Sequence, residues 1–270
     1  MNAVVSIGAK ARAALDASGG VAHPLAAFPD APYFDAAGEI IWVGSKLPAR
    51  HPRAVLTAAP VLRGRVASFP RLPRVAWSAA LPPAGRVAPD TVAAACRRLI
   101  RSVAALGDPR GFGALLAGGT PAFPLDLAVA RVNALAAAYR AGDPQAVHAA
   151  SRSLLGLGTG LTPSGDDLCG AALFGRMLVS RDARWRAIGG RLVIDARAAS
   201  HAISAALLAD LAAGASFESL HALADALVAG DDAAAIAAAR TLAALGHSSG
   251  WDMLTGFVIG AAATVFLDPA

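Results

Sequence analysis

Lysine is nearly absent from this 270-residue chain: Lys10 and Lys46 are its only two, and arginine carries the rest of the positive charge. Charged residues make up 16% of the sequence and aromatic residues 6%, with no interleaving of aromatic and basic positions. That combination argues against a stacking, phosphate-tracking nucleic-acid binder. The formal charge of +5 gathers between Arg50 and Arg110 and again between Arg176 and Arg197. Small anions are the better match to it, and nucleic acid, through Arg63, Arg65, Arg71, Arg74 and Arg86, is the lesser alternative. Cysteine is as scarce: Cys96 and Cys169 form no CxxC pair, which excludes a zinc ribbon or a disulfide framework and leaves two buried thiols. HExxH and other short zinc-ligand spacings are missing. So are the basic leader and uninterrupted apolar run of a secretory signal, and a reducing cytoplasm is expected. The charge-free stretch Met253 to Leu267, bracketed by Asp252 and Asp268, falls short of the roughly 20 residues that span a bilayer. It is expected as a buried core helix, with no membrane partner.

What is present is apolar material for a large core, 56% of the chain, punctuated by 27 glycines and 17 prolines. Short β-type runs occupy the first part: VVSIGA near the start, EIIWVG at 39–44, AVLTA at 54–58 and RVASF at 65–69, separated by turn residues. A proline-punctuated linker follows at 69–86. From Asp90 the period becomes helical. Asp90 is expected to cap a helix through Val103 that the GDPRGFG segment ends; further helices are expected at 126–139, from Asp143 to about 154, and near 167–179, 185–211, 217–228, 231–245 and 251–266. The fold class is α+β: a β-rich N-terminal domain or barrel-like layer with its linker, residues 1–88, and an alanine-rich helical domain, residues 89–270.

One stretch stands apart. GLGTGLTPSGDDL, residues 156–168, packs four glycines and a carboxylate pair into the approach to a helix. SGDDLCGAALFG, 164–175, aligns without gaps to SGWDMLTGFVIG, 249–260, with serine, glycine, aspartate and a final glycine shared at offsets zero, one, three and eleven. Both copies read as a capping box, Ser164 or Ser249 at the N-cap and Asp167 or Asp252 reaching back from N3. Thr162 followed by Pro163 offers an earlier start. Capping alone accounts for these residues, but it requires neither the preceding glycines, nor Asp166, nor HSSG at 247–250.

That surplus carries the chemistry. Glycines at alternate positions before a helix N-terminus open backbone amides to a phosphate or carboxylate. No lysine follows them, which excludes a Walker loop, and no strand precedes them, which excludes a dinucleotide fingerprint. Asp166 and Asp167 suit either a divalent ion such as magnesium or the orientation of a substrate amide; no other cofactor is called for. His247 either caps the preceding helix or exchanges a proton with a ligand. Arg197 and His201, four apart beside Ser200 on one long helix, make a further anion clamp. The candidate catalytic residues are thus Asp166 and His247. The candidate substrate-binding set is Gly158, Thr159, Gly160, Thr162, Ser164, Gly165, Asp167, Arg197, Ser248, Ser249 and Asp252. If the two SGxD helix starts face each other they bound one small polar pocket, with Gly170, Gly175, Gly256 and Gly260 letting the helices approach.

GLGTGLTPSGDDLCG and GHSSGWDMLTG together resemble the two signature segments of the AllH-like family. The likeness is firm from about residue 149 to 266; the TPSGDD segment of the family falls on Gly158 to Asp167 and its GHxSGWD segment on Gly246 to Asp252, with Ser248 at the variable position. The resemblance implies a β-rich N-terminal part, a helical C-terminal part and a link to anaerobic allantoin and purine degradation. There, with FdrA-like and AllG-like protein partners, such chains are associated with oxamate carbamoyltransferase activity, which exchanges oxalurate and phosphate for oxamate and carbamoyl phosphate. A small carboxylate- or phosphate-containing substrate is what that activity implies. A non-catalytic structural or regulatory subunit of such a complex is the alternative.

Overall fold

The computed structural model describes residues 3–26, 33–47, 49–62, 64–180 and 182–263. It divides into two compact units, Met1–Ala79 with Ser216–Glu218, and Ala80–Ala215 with Ser219–Ala270. The fold is α+β.

The first unit is a six-stranded sheet of β1 (Val4–Ile7), β2 (Val21–Ala26), β3 (Tyr33–Ala36), β4 (Glu39–Gly44), β5 (Ala54–Thr57) and β6 (Ala67–Ser68), with α1 (Ala9–Ala17) between the first two strands. Strand order is β1-β5-β4-β3-β2-β6, and only the β4–β5 pair among these is parallel. Among the described residues the end strands β1 and β6 do not pair, so the sheet is an open layer and not a barrel. Helix α1 lays Ala11, Ala14 and Leu15 onto the sheet, where they meet Phe34, Ile41 and Val43 in one core. Three elements here escape the periodicity reading: α1, β2 and β3. Pro24 interrupts β2, and the register with β3 shifts just beyond it; a proline in mid-strand removes a ladder donor and hides the strand from pattern recognition.

The second unit is helical: α2 (Pro89–Arg101), α3 (Gly113–Leu116), α4 (Val129–Ala141), α5 (Pro144–Arg152), α6 (Ser164–Val179), α7 (Ala183–Ala199), α8 (Ala202–Ala212), α9 (Glu218–Ala229), α10 (Asp232–Ala243) and α11 (Ser249–Ala262), with 3-10 turns at Val103–Ala105 and Leu125–Ala128. Helices α6 and α11 form its axis. Every residue from Ser164 to Gly175 and from Gly250 to Ala261 is buried, the pattern of a helix wrapped on all sides. The charge-free stretch at the end of the chain is therefore core from Met253 to Ala261, while 264–267 lie outside the described residues. Among the described residues no helix is long and apolar enough to cross a membrane. Cys96 in α2 and Cys169 in α6 are buried and free, and burial pushes the Cys96 thiol up to about 12.

Two helical expectations need correction. The span 185–211 is two helices, not one: Ser200 is extended and the His201 ring accepts from the Ile203 amide at 3.2 Å to start α8. Arg197, Ser200 and His201 therefore do not share a helix face. Asp90 does not cap α2, because Pro89 sets the first turn and Ala88 is the cap; proline's fixed φ and missing N–H suit that position. Asp143 does cap α5, accepting from the amides of Gln145 and Ala146.

Candidate functional site

The loop Gly156–Pro163 runs from the end of α5 to the start of α6. Its three alternate glycines all hold positive φ: +72° at Gly156, +114° at Gly158 and +91° at Gly160. At Gly158 a Cβ would stand 2.8 Å from the Ser164 amide nitrogen, so close approach as well as backbone angle demands glycine there; around Gly160 the space is open. The Gly156 amide donates to Asp166 Oδ1 at 2.8 Å and the Gly165 amide to the Leu157 carbonyl at 2.9 Å, which pins both ends of the loop. Between those pins, the amides of Gly158, Thr159, Gly160, Leu161 and Thr162 make no intramolecular hydrogen bond among the described residues. Thr159 and Gly160 are exposed.

Asp166 is buried and all of its carboxyl is in use. Besides Gly156, the hydroxyls of Ser200 and Ser204 donate to Oδ2, the latter at 2.6 Å. The break between α7 and α8 is what brings Ser200 there. Asp166 thus ties three segments together, the glycine loop, α6 and the α7–α8 corner, and it turns away from Asp167 instead of sharing a point with it. Ser204→Ala is expected to lower stability by about 1–2 kcal/mol, the worth of a buried hydrogen bond, and to loosen the loop. Chemical denaturation with amide exchange at Gly156 and Gly158 would check this; unchanged exchange would show that Asp166 does not hold the loop.

The two SGxD starts do face each other. Thr162 Oγ1 lies 3.1 Å from Ser249 Oγ, and Ser164 Oγ 3.5 Å from Ser248 Oγ. Neither start is a capping box: the caps are Pro163 and Ser248, neither makes a side-chain cap bond, and Ser164 and Ser249 fall inside the first turn. The serines are turned across the pair instead. Ser249 on α11 lies beside Asp167 on α6, while Ser164 on α6 lies beside Asp252 on α11, each lowering the other helix's carboxyl pKa.

The same reciprocity explains the shared glycines. A Cβ on Gly165 would collide with the Leu154 carbonyl oxygen and one on Gly250 with the Leu242 carbonyl oxygen, so one start is pressed onto the turn that follows α5 and the other onto the last turn of α10. At offset eleven, Gly175 sits against the Phe257 carbonyl and Gly260 against the Ala172 carbonyl; Phe257 and Ala172 both occupy offset eight of the aligned segments. Contacts at both starts and both later turns make α6 and α11 parallel neighbours related by a local two-fold axis.

Parallel packing sets two positive helix ends side by side, which is unfavourable unless negative charge lies between them. Asp167 and Asp252 supply it. Burial, then the neighbouring Asp252 charge, raise Asp167 well above the usual carboxylate range despite Ser249. Burial raises Asp252 to about 6 against the Phe112 amide and the hydroxyls of Ser164 and Ser248. Both carboxyls therefore hold their protons more tightly than free ones, and the Asp252 charge adds to the burial that raises Asp167. Asp252 Oδ1 accepts from the Phe112 amide at 2.7 Å, and Oδ2 of both aspartates is buried with no hydrogen bond in good geometry. Gly111, φ +54°, lies against Asp252 Oδ1 where a Cβ could not fit. The GDPRGFG segment, legible in the sequence only as a helix stop, thereby becomes part of the site.

His247 lines an exposed cleft of about 350 Å³ with Asp108, Arg110, Arg240 and Trp251, and it lies near enough to Asp252 for its charge to lower that carboxyl's pKa. Arg197 is exposed on α7 and makes no hydrogen bond or ion pair with any other candidate. The structure brings together Thr162, Ser164, Asp167, Ser248, Ser249 and Asp252, with Gly158 and Gly165 beside them. Among the described residues no group of three or more His, Cys, Asp or Glu side chains could hold a metal ion. Arg65, Arg71, Arg74 and Arg86 are exposed, and Arg63 lies outside the described residues.

A family model described as oxamate carbamoyltransferase subunit AllH matches residues 154–261. This helical segment is AllH-like. The match begins at Leu154, whose carbonyl receives Gly165, and ends at Ala261, one residue past Gly260, so it spans the reciprocal α6–α11 pair and the α7–α10 segment between its halves. The AllH match leaves Asp108, Arg110, Gly111 and Phe112 outside, although Phe112 completes the environment of Asp252. No curated protein matches the chain, and neither does any solved structure.

Proposed function

We propose that the chain serves a carbamoyltransferase system as the subunit that holds a small anion, phosphate or carboxylate, on the backbone of the glycine loop. The observation that carries this reading is the run of five unbonded amides, Gly158 to Thr162, at the foot of two parallel helix starts. Amides with no internal acceptor beside a positive helix end favour an anion. Asp166 acts there as a positioning residue, since its oxygens fix Gly156 and the α7–α8 corner. The buried Asp167–Asp252 pair lies behind the hydroxyls of Thr162, Ser164, Ser248 and Ser249, which can pass its polarity to an amide or ureido group at the surface.

The AllH likeness supports the substrate class: oxalurate and phosphate on one side, oxamate and carbamoyl phosphate on the other, in the cytoplasm, with FdrA-like and AllG-like partners. In such a transfer the bond from the carbamoyl carbon to the oxamate nitrogen breaks as one to a phosphate oxygen forms, with a proton passing to that nitrogen; in the reverse direction phosphate is the leaving group, and amides that hold it stabilise the charge developing there. Titration calorimetry with phosphate and carbamoyl phosphate, on the chain alone and with those partners, tests the reading. Binding of phosphate by the chain alone, weakened by Gly160→Val, is the expected result. Tight assembly with partners and no anion uptake in either state would make the chain a structural subunit instead.

A further inference from the structure

We propose that the cleft at the start of α11 is a separate binding site for a small carboxylate that carries an adjacent N–H donor, with Arg110 and Arg240 as its carboxylate clamp and Asp108 as acceptor for the donor. The cleft measures about 350 Å³ and is walled by Leu106, Gly107, Ala243 and Trp251, a size within the range of small-molecule sites. Arg110 and Arg240 line it, and among the described residues neither is paired with a carboxylate. Arg240 is instead anchored by two donations, from Nε and Nη2, to the Ala105 carbonyl at 3.0 and 2.9 Å, and its Nη1 makes no hydrogen bond among the described residues. Arg110 is tied only by a long 3.5 Å contact to the His247 carbonyl.

An arginine held by a backbone carbonyl is oriented without being neutralised, which is the condition for bidentate recognition of an incoming carboxylate. His247 at the rim and the positive end of α11 behind it add to the attraction. Asp108 has no cationic partner among the described residues, and in such a cleft it accepts an N–H while repelling a second carboxylate. The chemistry therefore selects a monocarboxylate with an amide over a dicarboxylate of equal size. None of these cationic residues belongs to the glycine loop, so the site adds a second anion position to the one proposed above. It rests on that reading only for the suggestion that the ligand is a substrate.

The test is titration of the full chain with oxamate, oxalate and inorganic phosphate, each followed by calorimetry and by the NMR shifts of the Trp251 and His247 rings. Oxamate is expected to bind and shift both rings, and oxalate to bind more weakly. Arg110→Gln and Arg240→Gln, surface changes whose folding is checked by circular dichroism, are expected to weaken oxamate by about tenfold each while leaving phosphate uptake intact. Asp108→Asn is expected to narrow the gap between oxamate and oxalate. Oxamate binding that survives the double arginine replacement overturns the site, as does phosphate uptake with no oxamate uptake, which leaves the glycine-loop reading standing. Loss of phosphate binding alone, with oxamate still sensitive to both arginines, removes the loop reading and keeps the cleft.

Discussion

Replacing Gly260 by alanine will unfold the helical unit, and Gly256→Ala will do nearly the same. At both positions an added methyl would overlap a backbone carbonyl of α6, that of Ala172 for Gly260 and that of Leu168 for Gly256. A flexible side chain can swing aside, but a carbonyl inside a buried helix cannot move without carrying its hydrogen-bonded turn with it. Overpacking of a well-filled interior costs about 1–3 kcal/mol where side chains can adjust; with backbone on both sides the expected cost is about 4 kcal/mol or more, a large part of a domain's total stability. Gly160→Ala is the control. Nothing stands within reach of its added methyl and only its φ of +91° is disfavoured, so a loss of about 1–3 kcal/mol is expected. Urea denaturation of the three variants separates the two mechanisms. Gly260 lies within α11 and has no positive φ, so a loss at Gly260 no larger than that at Gly160 would mean that contact with the α6 carbonyl does not set the requirement for glycine.

Asp252→Asn is expected to stabilise the protein above pH 7 and to have little effect near pH 4. Burial raises the folded-state pKa of Asp252 to about 6 from 3.8. The folded protein thus holds this proton more tightly than the unfolded chain, so the associated stability is complete below about pH 4 and is lost as pH rises through 6. A shift of that size corresponds to about 3 kcal/mol at pH 8. Asparagine carries no charge at any pH and keeps an oxygen for the Phe112 amide, so the variant escapes the loss. Asp167 is raised in the same direction, by its burial and then by the Asp252 charge; removing that charge also brings Asp167 down. Thermal unfolding of both proteins from pH 4 to pH 8 reads the change for the Asp167–Asp252 pair as a whole, because the titrating groups outside the pair are common. A constant gap across that range would exclude the pair as the source.

The parts of this architecture that announce themselves in the sequence are those governed by local rules. EIIWVG and AVLTA form strands because β-branched and aromatic residues sit between turn signals, and Asp143 caps α5 because its side chain needs only its own next turn. Less visible are features settled across distance. Ser164 and Asp167 have the spacing of a capping box, yet burial of α11 against α6 turns each serine toward the other helix. Asp166 looks superfluous to a helix start, and its partners Ser200 and Ser204 lie more than thirty residues downstream. The corner at Ser200–His201 carries no proline or glycine and hides inside a continuous apolar period. The four identities between 164–175 and 249–260 were the one visible trace of the α6–α11 pair, and each of them takes an equivalent place in it.

Because each serine serves the aspartate of the opposite helix, neither motif is complete within its own segment. A change at Ser164 is felt at Asp252, and a change at Ser249 at Asp167, although 88 and 82 residues of chain separate the members of each pair. The two segments thus form one unit of substitution: a change in either is felt in the carboxyl environment of the other, and the arrangement is kept only when both are altered to match.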